Sequence, residues 1–150
     1  MEHYGGAKCL VVRKNKILLV KHKHNNREYF TLPGGGIEKG ETPETAAIRE
    51  LHEECAVHGT IINKVSEYLL PEFMPDGDGR AKLYTFHMDI GDQDPKLGYD
   101  PEHLGSEQIL VELRWLALNE ICERDKTFYG HRDCNVYRSL AKNYYRGVMI

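Results

Sequence analysis

The sequence predicts an α/β fold, on three observations. Strand-length apolar runs recur along most of the chain, one helix is patterned on two distinct faces, and a second helical pattern lies near the end. At 150 residues, with 41% hydrophobic and 29% charged residues, the chain is sized for one domain, expected to span residues 1–150.

Gly6 to Arg13 and Ile17 to Lys21 carry strand patterns around Lys14-Asn15-Lys16, which reads as a hairpin turn. His22 to Arg27 is polar and reads as a loop. Tyr29-Phe30-Thr31-Leu32 then forms a short strand leading into Pro33-Gly34-Gly35-Gly36, a bend whose glycines let backbone approach a ligand. Thr42 is the expected N-cap of a helix with Pro43 at its first position, and Glu41 and Glu44 suit the positive end. Val57 to Leu70 reads as extended, with an interruption near Asn63-Lys64, and Pro71 to Gly79 as an exposed loop. In the strand Ala81 to Ile90, Tyr84, Phe86, Met88 and Ile90 are expected to face a core. A polar segment from Gly91 to Ser106 precedes a strand over Gln108 to Leu116. Asn119 caps a short helix through Arg124, and Asn135 to Tyr145 forms a terminal helix.

The chemistry is concentrated in the first helix. At roughly 100° per residue, Glu50, Glu53 and Glu54 share an arc of about 100°, while Ala47, Ile48, Leu51 and Cys55 lie nearly opposite, so one face packs and the other looks into a cleft. Three carboxylates this close repel one another, and a divalent cation would neutralise them. Arg49 is the one local cation, four residues before Glu53, placed to hold a carboxylate rather than cancel the charge. The glycines carry no following Lys-Ser or Lys-Thr, which excludes a P-loop, and no GxGxxG is present.

Gly35, Glu41, Arg49, Glu50, Leu51, Glu53, Glu54 and Val57 together resemble the signature of the Nudix hydrolase family. That signature is a glycine, five residues, a glutamate, seven residues, then Arg-Glu-aliphatic-any-Glu-Glu-any-Gly-aliphatic. Ala56 stands where the family usually has glycine. A slight adjustment of the helix exit is expected, with a cost if that residue must be left-handed. The resemblance implies an alpha/beta/alpha sandwich with a mixed β-sheet. It also implies Mg²⁺-dependent hydrolysis, with Mn²⁺ as the alternative ion, of the pyrophosphate in a nucleoside diphosphate linked to another group. Glu50, Glu53, Glu54 and the backbone carbonyl of Gly34 become the expected metal ligands, and Glu50 the first choice for activating water or holding the ion beside it. Relatives differ over the base; the downstream candidates are Glu102, Glu107 and Glu112, with Glu107 favoured. Arg49 is expected to orient Glu53 or Glu41, and Trp115 to pack. Homodimerisation is a further expectation. The competing class is a noncatalytic nucleotide-binding or sensing domain of the same fold.

A formal charge of −3 and the lack of a basic stripe argue against a nucleic-acid polymer as partner. No apolar run approaches a membrane span and no secretory core segment is visible, so cytoplasmic residence is the default expectation. Cys9, Cys55, Cys122 and Cys134 lack zinc-site spacing. Tyr29, Phe30, Phe73 and Tyr84 are candidate base-stacking residues, and Arg27 and Arg80 candidate phosphate contacts. Oxidised nucleoside triphosphates, ADP-ribose, nucleotide sugars and dinucleoside polyphosphates all stay open as substrates.

Overall fold

The computed structural model describes residues 5–69, 82–99 and 109–117. The elements run β1 (Gly5–Leu10), β2 (Val12–Arg13), β3 (Lys16–His24), β4 (Arg27–Thr31), β5 (Gly34–Gly36), α1 (Pro43–Cys55), β6 (Thr60–Leu69), β7 (Lys82–Asp89) and β8 (Ile109–Ala117). The expected loop over Pro71 to Gly79, the short helix from Asn119 and the terminal helix from Asn135 lie outside the described residues, as do Cys122 and Cys134.

The mixed sheet is present, in the order β5-β1-β7-β6, with β1 and β7 parallel and the other pairs antiparallel. Beside it stands a second, antiparallel sheet in which β3 pairs with β2, β4 and β8. The run Gly6 to Arg13 is therefore not one strand. It breaks at Val11, so that β1 belongs to the first sheet and β2 to the second, and the Val11 carbonyl accepts from the Leu18 N–H at 3.0 Å.

Two tight turns set the register of the second sheet. Lys14 (φ 49°) and Asn15 (φ 65°) join β2 to β3, and Asn25 (φ 49°) and Asn26 (φ 66°) join β3 to β4. Two successive positive φ values match the twist of paired strands, and asparagine tolerates them. The second turn corrects the sequence reading. His22, Lys23 and His24 are strand residues rather than loop, because two residues suffice for the reversal. His22 is only 6% exposed; its Nε2 is 2.8 Å from Thr31 Oγ1, and its ring stacks on Tyr29 at 5.1 Å between centroids.

The core forms where α1 packs on β1. Ala46, Ala47, Leu51 and Cys55 of the helix meet Ala7 and Cys9 of β1, Leu18 and Val20 of β3, and Phe86 and Met88 of β7. Tyr84, Phe86, Met88 and Ile90 face this core as the alternation requires. Leu83, Thr85 and His87 are buried as well, so both faces of β7 are covered. Trp115 packs against the same cluster, with the Arg13 guanidinium 5.1 Å from its ring centroid. The interruption expected in β6 is real: its pairing with β7 shifts register between Ile61 and Asn63 and again between Lys64 and Ser66.

Helix α1 starts as expected. The Thr42 hydroxyl accepts from the Thr45 N–H at 3.1 Å, and Pro43 occupies the first turn. Its exit is left-handed: Ala56 has φ 56° and ψ 35° and donates to the His52 carbonyl at 3.0 Å. This conformation is the one in which alanine replaces glycine at a cost of about 1–2 kcal/mol. The substitution Ala56→Gly is therefore expected to raise stability by about 1 kcal/mol, read as a higher urea midpoint at unchanged slope. An unmoved or lower midpoint would mean that this residue stores no strain.

Candidate active site

Three elements build the acidic site: the glycine strand β5, the loop carrying Glu38 and Glu41, and one side of α1. What the sequence presents as a bend is a short strand, paired with β1 through Gly6–Gly36, Ala7–Gly35 and Lys8–Gly34. Its glycines are required by proximity. A Cβ on Gly35 would stand 2.5 Å from Glu50 Oε1, so the carboxylate occupies the space that any side chain would take. Gly34 has φ 149°, and its N–H donates to Glu54 Oε1 at 2.7 Å.

The carboxylates are not all on an open face. Glu50 and Glu54 are each 1% exposed and join the buried side of α1, whereas Ile48, expected on the packed stripe, is 38% exposed. The packed face is therefore rotated toward the glycine strand relative to the sequence reading. Glycines lining a helix leave room for glutamate stems, and their absent side chains give the periodicity no signal.

Arg49 holds the group together. Its Nε donates to Glu41 Oε2 at 2.7 Å and its Nη2 to Glu41 Oε1 at 2.9 Å, a two-pronged clasp. Nη1 donates to Glu50 Oε1 at 3.0 Å and to Glu53 Oε2 at 3.2 Å, while Nη2 also donates to the Gly36 carbonyl at 2.9 Å. Glu38 lies at the edge of the network, 3.9 Å from Nη1, and its N–H donates to Glu41 Oε1 at 3.0 Å. Arg49 thus contacts both carboxylates expected from the sequence and Glu50 besides. With Glu50 this deeply buried, removing the arginine would leave an uncompensated charge, a change that costs about 3–5 kcal/mol in comparable buried pairs.

The donor chemistry fits a hard divalent cation. Glu50, Glu53 and Glu54 supply only carboxylate oxygens, the ligand type that magnesium and manganese take. Among the described residues no three such groups converge in a ready-made coordination geometry. The Arg49 guanidinium bridges Glu50 and Glu53 instead. The neighbouring thiols do not join the donor set. Burial pushes Cys9 and Cys55 up, with Glu54 reinforcing both, and Cys9 Sγ donates to the Ala47 carbonyl at 3.1 Å.

Glu102 and Glu107 lie outside the described residues, as do Phe73, Pro71 and Arg80. Glu112 sits on β8 and is engaged by Lys21 at 3.4 Å and Arg114 at 3.0 Å. Phe30 is a core residue with Lys21 and Arg114 over its ring, and the half-buried Tyr84 stacks on Phe86 at 6.3 Å. Arg27 is exposed on β4. The sequence reading missed Glu38 as a neighbour of Arg49, and Gly98, whose backbone abuts Glu53 at the end of α1. Only the lone glycine between Leu97 and Tyr99 hinted at the latter.

The NUDIX domain model matches residues 3–135. The chain belongs to the Nudix family. An ADP-ribose pyrophosphatase of Methanocaldococcus jannaschii is 38% identical over 94 residues, 61% of this chain and 53% of that protein. The chain thus spans about half the length of that relative. An RNA pyrophosphohydrolase of Sphingopyxis alaskensis is 29% identical over 75% of both chains, and Nudix hydrolase 25 of Arabidopsis thaliana is 38% identical over 77% of this chain and 73% of its own. Among solved structures, a Nudix hydrolase from Nitrosomonas europaea matches with a TM-score of 0.74 at 22% identity, over 98% of this chain and 74% of that one. The Escherichia coli ORF135 protein matches at 0.72 and 18%, over 97% and 94%. These likenesses carry the fold. Among the described residues no helix is long and apolar enough to cross a membrane.

The clasp on Glu41 sets a pH dependence. Arg49 holds the Glu41 carboxyl below the usual carboxylate range, against the opposing effect of burial and with help from the Glu38 N–H. A lowered carboxyl stabilises the fold above its ordinary pKa and loses that contribution as pH falls through the lowered value. Glu41→Gln is thus expected to melt below wild type at pH 7, with the two melting curves converging as pH drops beneath the carboxylate range. A gap that stays constant on acidification would show that the charge on Glu41 is not what stabilises.

Proposed function

We propose that this Nudix protein is a metal-dependent pyrophosphohydrolase, cleaving a nucleoside diphosphate linked to another group. The observation that carries the reading is the Arg49 network, which aligns Glu41, Glu50 and Glu53 while Glu54 is seated on the Gly34 amide. The named relatives support the reaction class, since both the ADP-ribose and the RNA enzyme are named for splitting pyrophosphate bonds.

Glu50, Glu53 and Glu54, with the Gly34 carbonyl, would hold Mg²⁺, or Mn²⁺ in its place. The ion would supply positive charge against the phosphate oxygens as charge grows on the leaving phosphate. The chain itself does the rest. Water forms a bond to phosphorus as the anhydride P–O bond breaks; the leaving phosphate keeps the electron pair. The water proton passes to a carboxylate, Glu50 of the α1 cluster or, as the alternative, Glu107 further along the sequence. Arg49 touches no reacting atom; it fixes the rotamers of Glu50 and Glu53 and keeps like charges from splaying apart. β5 lets the Glu50 carboxylate lie against its backbone because no side chain projects from Gly35.

Glu53→Gln and Glu54→Gln are each expected to lower turnover about 100-fold or more, the scale of losing one electrostatic stabiliser, with the circular dichroism spectrum retained. Turnover comparable to wild type in both would remove the metal-binding role. The decisive assay is a substrate panel with and without Mg²⁺, products resolved by mass, including ADP-ribose, a nucleotide sugar, nucleoside triphosphates and 5′-triphosphorylated RNA. Nucleoside monophosphate plus sugar phosphate would identify a diphosphate conjugate, and monophosphate plus pyrophosphate a triphosphate. Nucleotide binding without release of phosphate would instead establish the noncatalytic sensing domain. In the same assay Glu107→Gln decides between the two candidate bases: a loss of about 100-fold or more, within the span of general-base catalysis, would give the role to Glu107, and near-normal turnover at saturating metal would leave it with Glu50.

A further inference from the structure

The last turn of α1 carries Glu53 and Glu54, and its exit passes through the strained Ala56. The final carbonyls of a helix have no partner within it and must find one elsewhere. Here the Glu53 carbonyl accepts from the Tyr99 N–H at 3.0 Å, that of Glu54 from Gly98 at 2.8 Å, and that of Cys55 from Lys96 at 2.9 Å. One downstream segment therefore supplies donors to three consecutive carbonyls of the turn that bears two of the proposed metal ligands.

Contact at the centre of this segment is backbone against backbone. A Cβ on Gly98 would fall on the Glu53 carbonyl oxygen and reach 3.2 Å from the Glu54 carbonyl carbon, so no rotamer change relieves the clash. The segment is also anchored upstream. Gln93 Oε1 accepts from the His58 N–H and its Nε2 donates to the His58 carbonyl, both at 2.9 Å. Arg13 donates to the carbonyls of Gly91 and Gln93 at 2.8 Å each. Residues 91–99 are thereby tied to the helix exit at one end and to the second sheet through β2 at the other.

We propose that residues 96–99 act as a backbone clamp that sets the position of Glu53 and Glu54, with Gly98 as a positioning residue for the site. The clamp offsets the poor left-handed cap at Ala56: with alanine there, the last turn depends on outside donors to keep its carbonyls, and hence its side chains, in place. The inference rests on Glu53 and Glu54 being metal ligands, and its test separates the two claims.

Binding of Mn²⁺ is measured by electron paramagnetic resonance on the full chain, beside steady-state kinetics on the best substrate of the panel. Gly98→Ala is expected to raise the Mn²⁺ dissociation constant at least about tenfold, or about 1.4 kcal/mol, while the nucleotide KM at saturating metal stays within about twofold of wild type. Tyr99→Pro replaces the donor to Glu53 with a ring methylene set against the same carbonyl, and is expected to weaken Mn²⁺ in the same direction. Tyr99→Ala keeps that N–H and is expected to leave affinity unchanged. Adding Ala56→Gly to Gly98→Ala should recover at least half of the lost affinity on a logarithmic scale, measured where both variants are fully folded so that the stability Ala56→Gly itself adds does not enter. Folded Gly98→Ala and Tyr99→Pro proteins that bind Mn²⁺ as wild type does would overturn the clamp; if Gly98→Ala fails to fold, Tyr99→Pro decides alone. Wild-type Mn²⁺ affinity in Glu53→Gln and Glu54→Gln would instead overturn the metal reading beneath it.

Discussion

The site is organised by one guanidinium set among carboxylates. Arg49 reaches Glu41 with two nitrogens and Glu50 and Glu53 with a third, and part of its side chain still meets solvent. A lysine could not replace it, because the fork geometry is what allows one residue to align acids that come from both a loop and a helix. Hydrogen bonds to charged groups contribute about 1.5–3 kcal/mol each when buried, and partial exposure reduces that by screening. Even discounted, the network outweighs the repulsion among its acids only while the arginine stays. Within 4 Å this guanidinium meets four carboxylates, those of Glu38, Glu41, Glu50 and Glu53.

Glycine accounts for the other half of the construction. A β-strand normally places side chains on both faces; β5 places none, and α1 approaches it closely enough for the Glu50 carboxylate to lie against Gly35. One oxygen of each buried acid meets a donor, Glu54 Oε1 the Gly34 N–H and Glu50 Oε1 the Arg49 guanidinium, which offsets part of the cost of burial. Glu54 shows the balance plainly: it is almost fully buried while Oε1 is held on an amide.

Much of this was legible in the sequence where local rules decide. The Thr42 cap, Pro43 in the first turn, the alternation in β7 and the irregularity in β6 all follow from short-range chemistry, and each is where it was expected. Failures came where a distant neighbour decides. His22 to His24 look like loop because they are polar, yet an Asn-Asn reversal carries the strand through them, and pairing with β4 and β8 holds them there. Ile48 was assigned to the packed stripe by helical phase alone; the glycine strand drew Glu50 and Glu54 inward and turned Ile48 out. The donors to the helix exit, more than forty positions away in the chain, have no local signature except a single glycine. Whether alanine at position 56 would cost anything also depended on a backbone angle that composition does not specify.

The break at Val11 has mechanical consequences. β1 lies between β5 and β7, and a single residue separates it from β2 in the neighbouring sheet. With so short a tether the two sheets cannot slide or hinge past each other without tearing ladder hydrogen bonds on one side. β1 is then a crossbar, and its amides should be among the slowest to exchange with solvent, opening only when the whole molecule does. Breathing is then confined to the periphery, leaving the floor beneath the glutamates stiff.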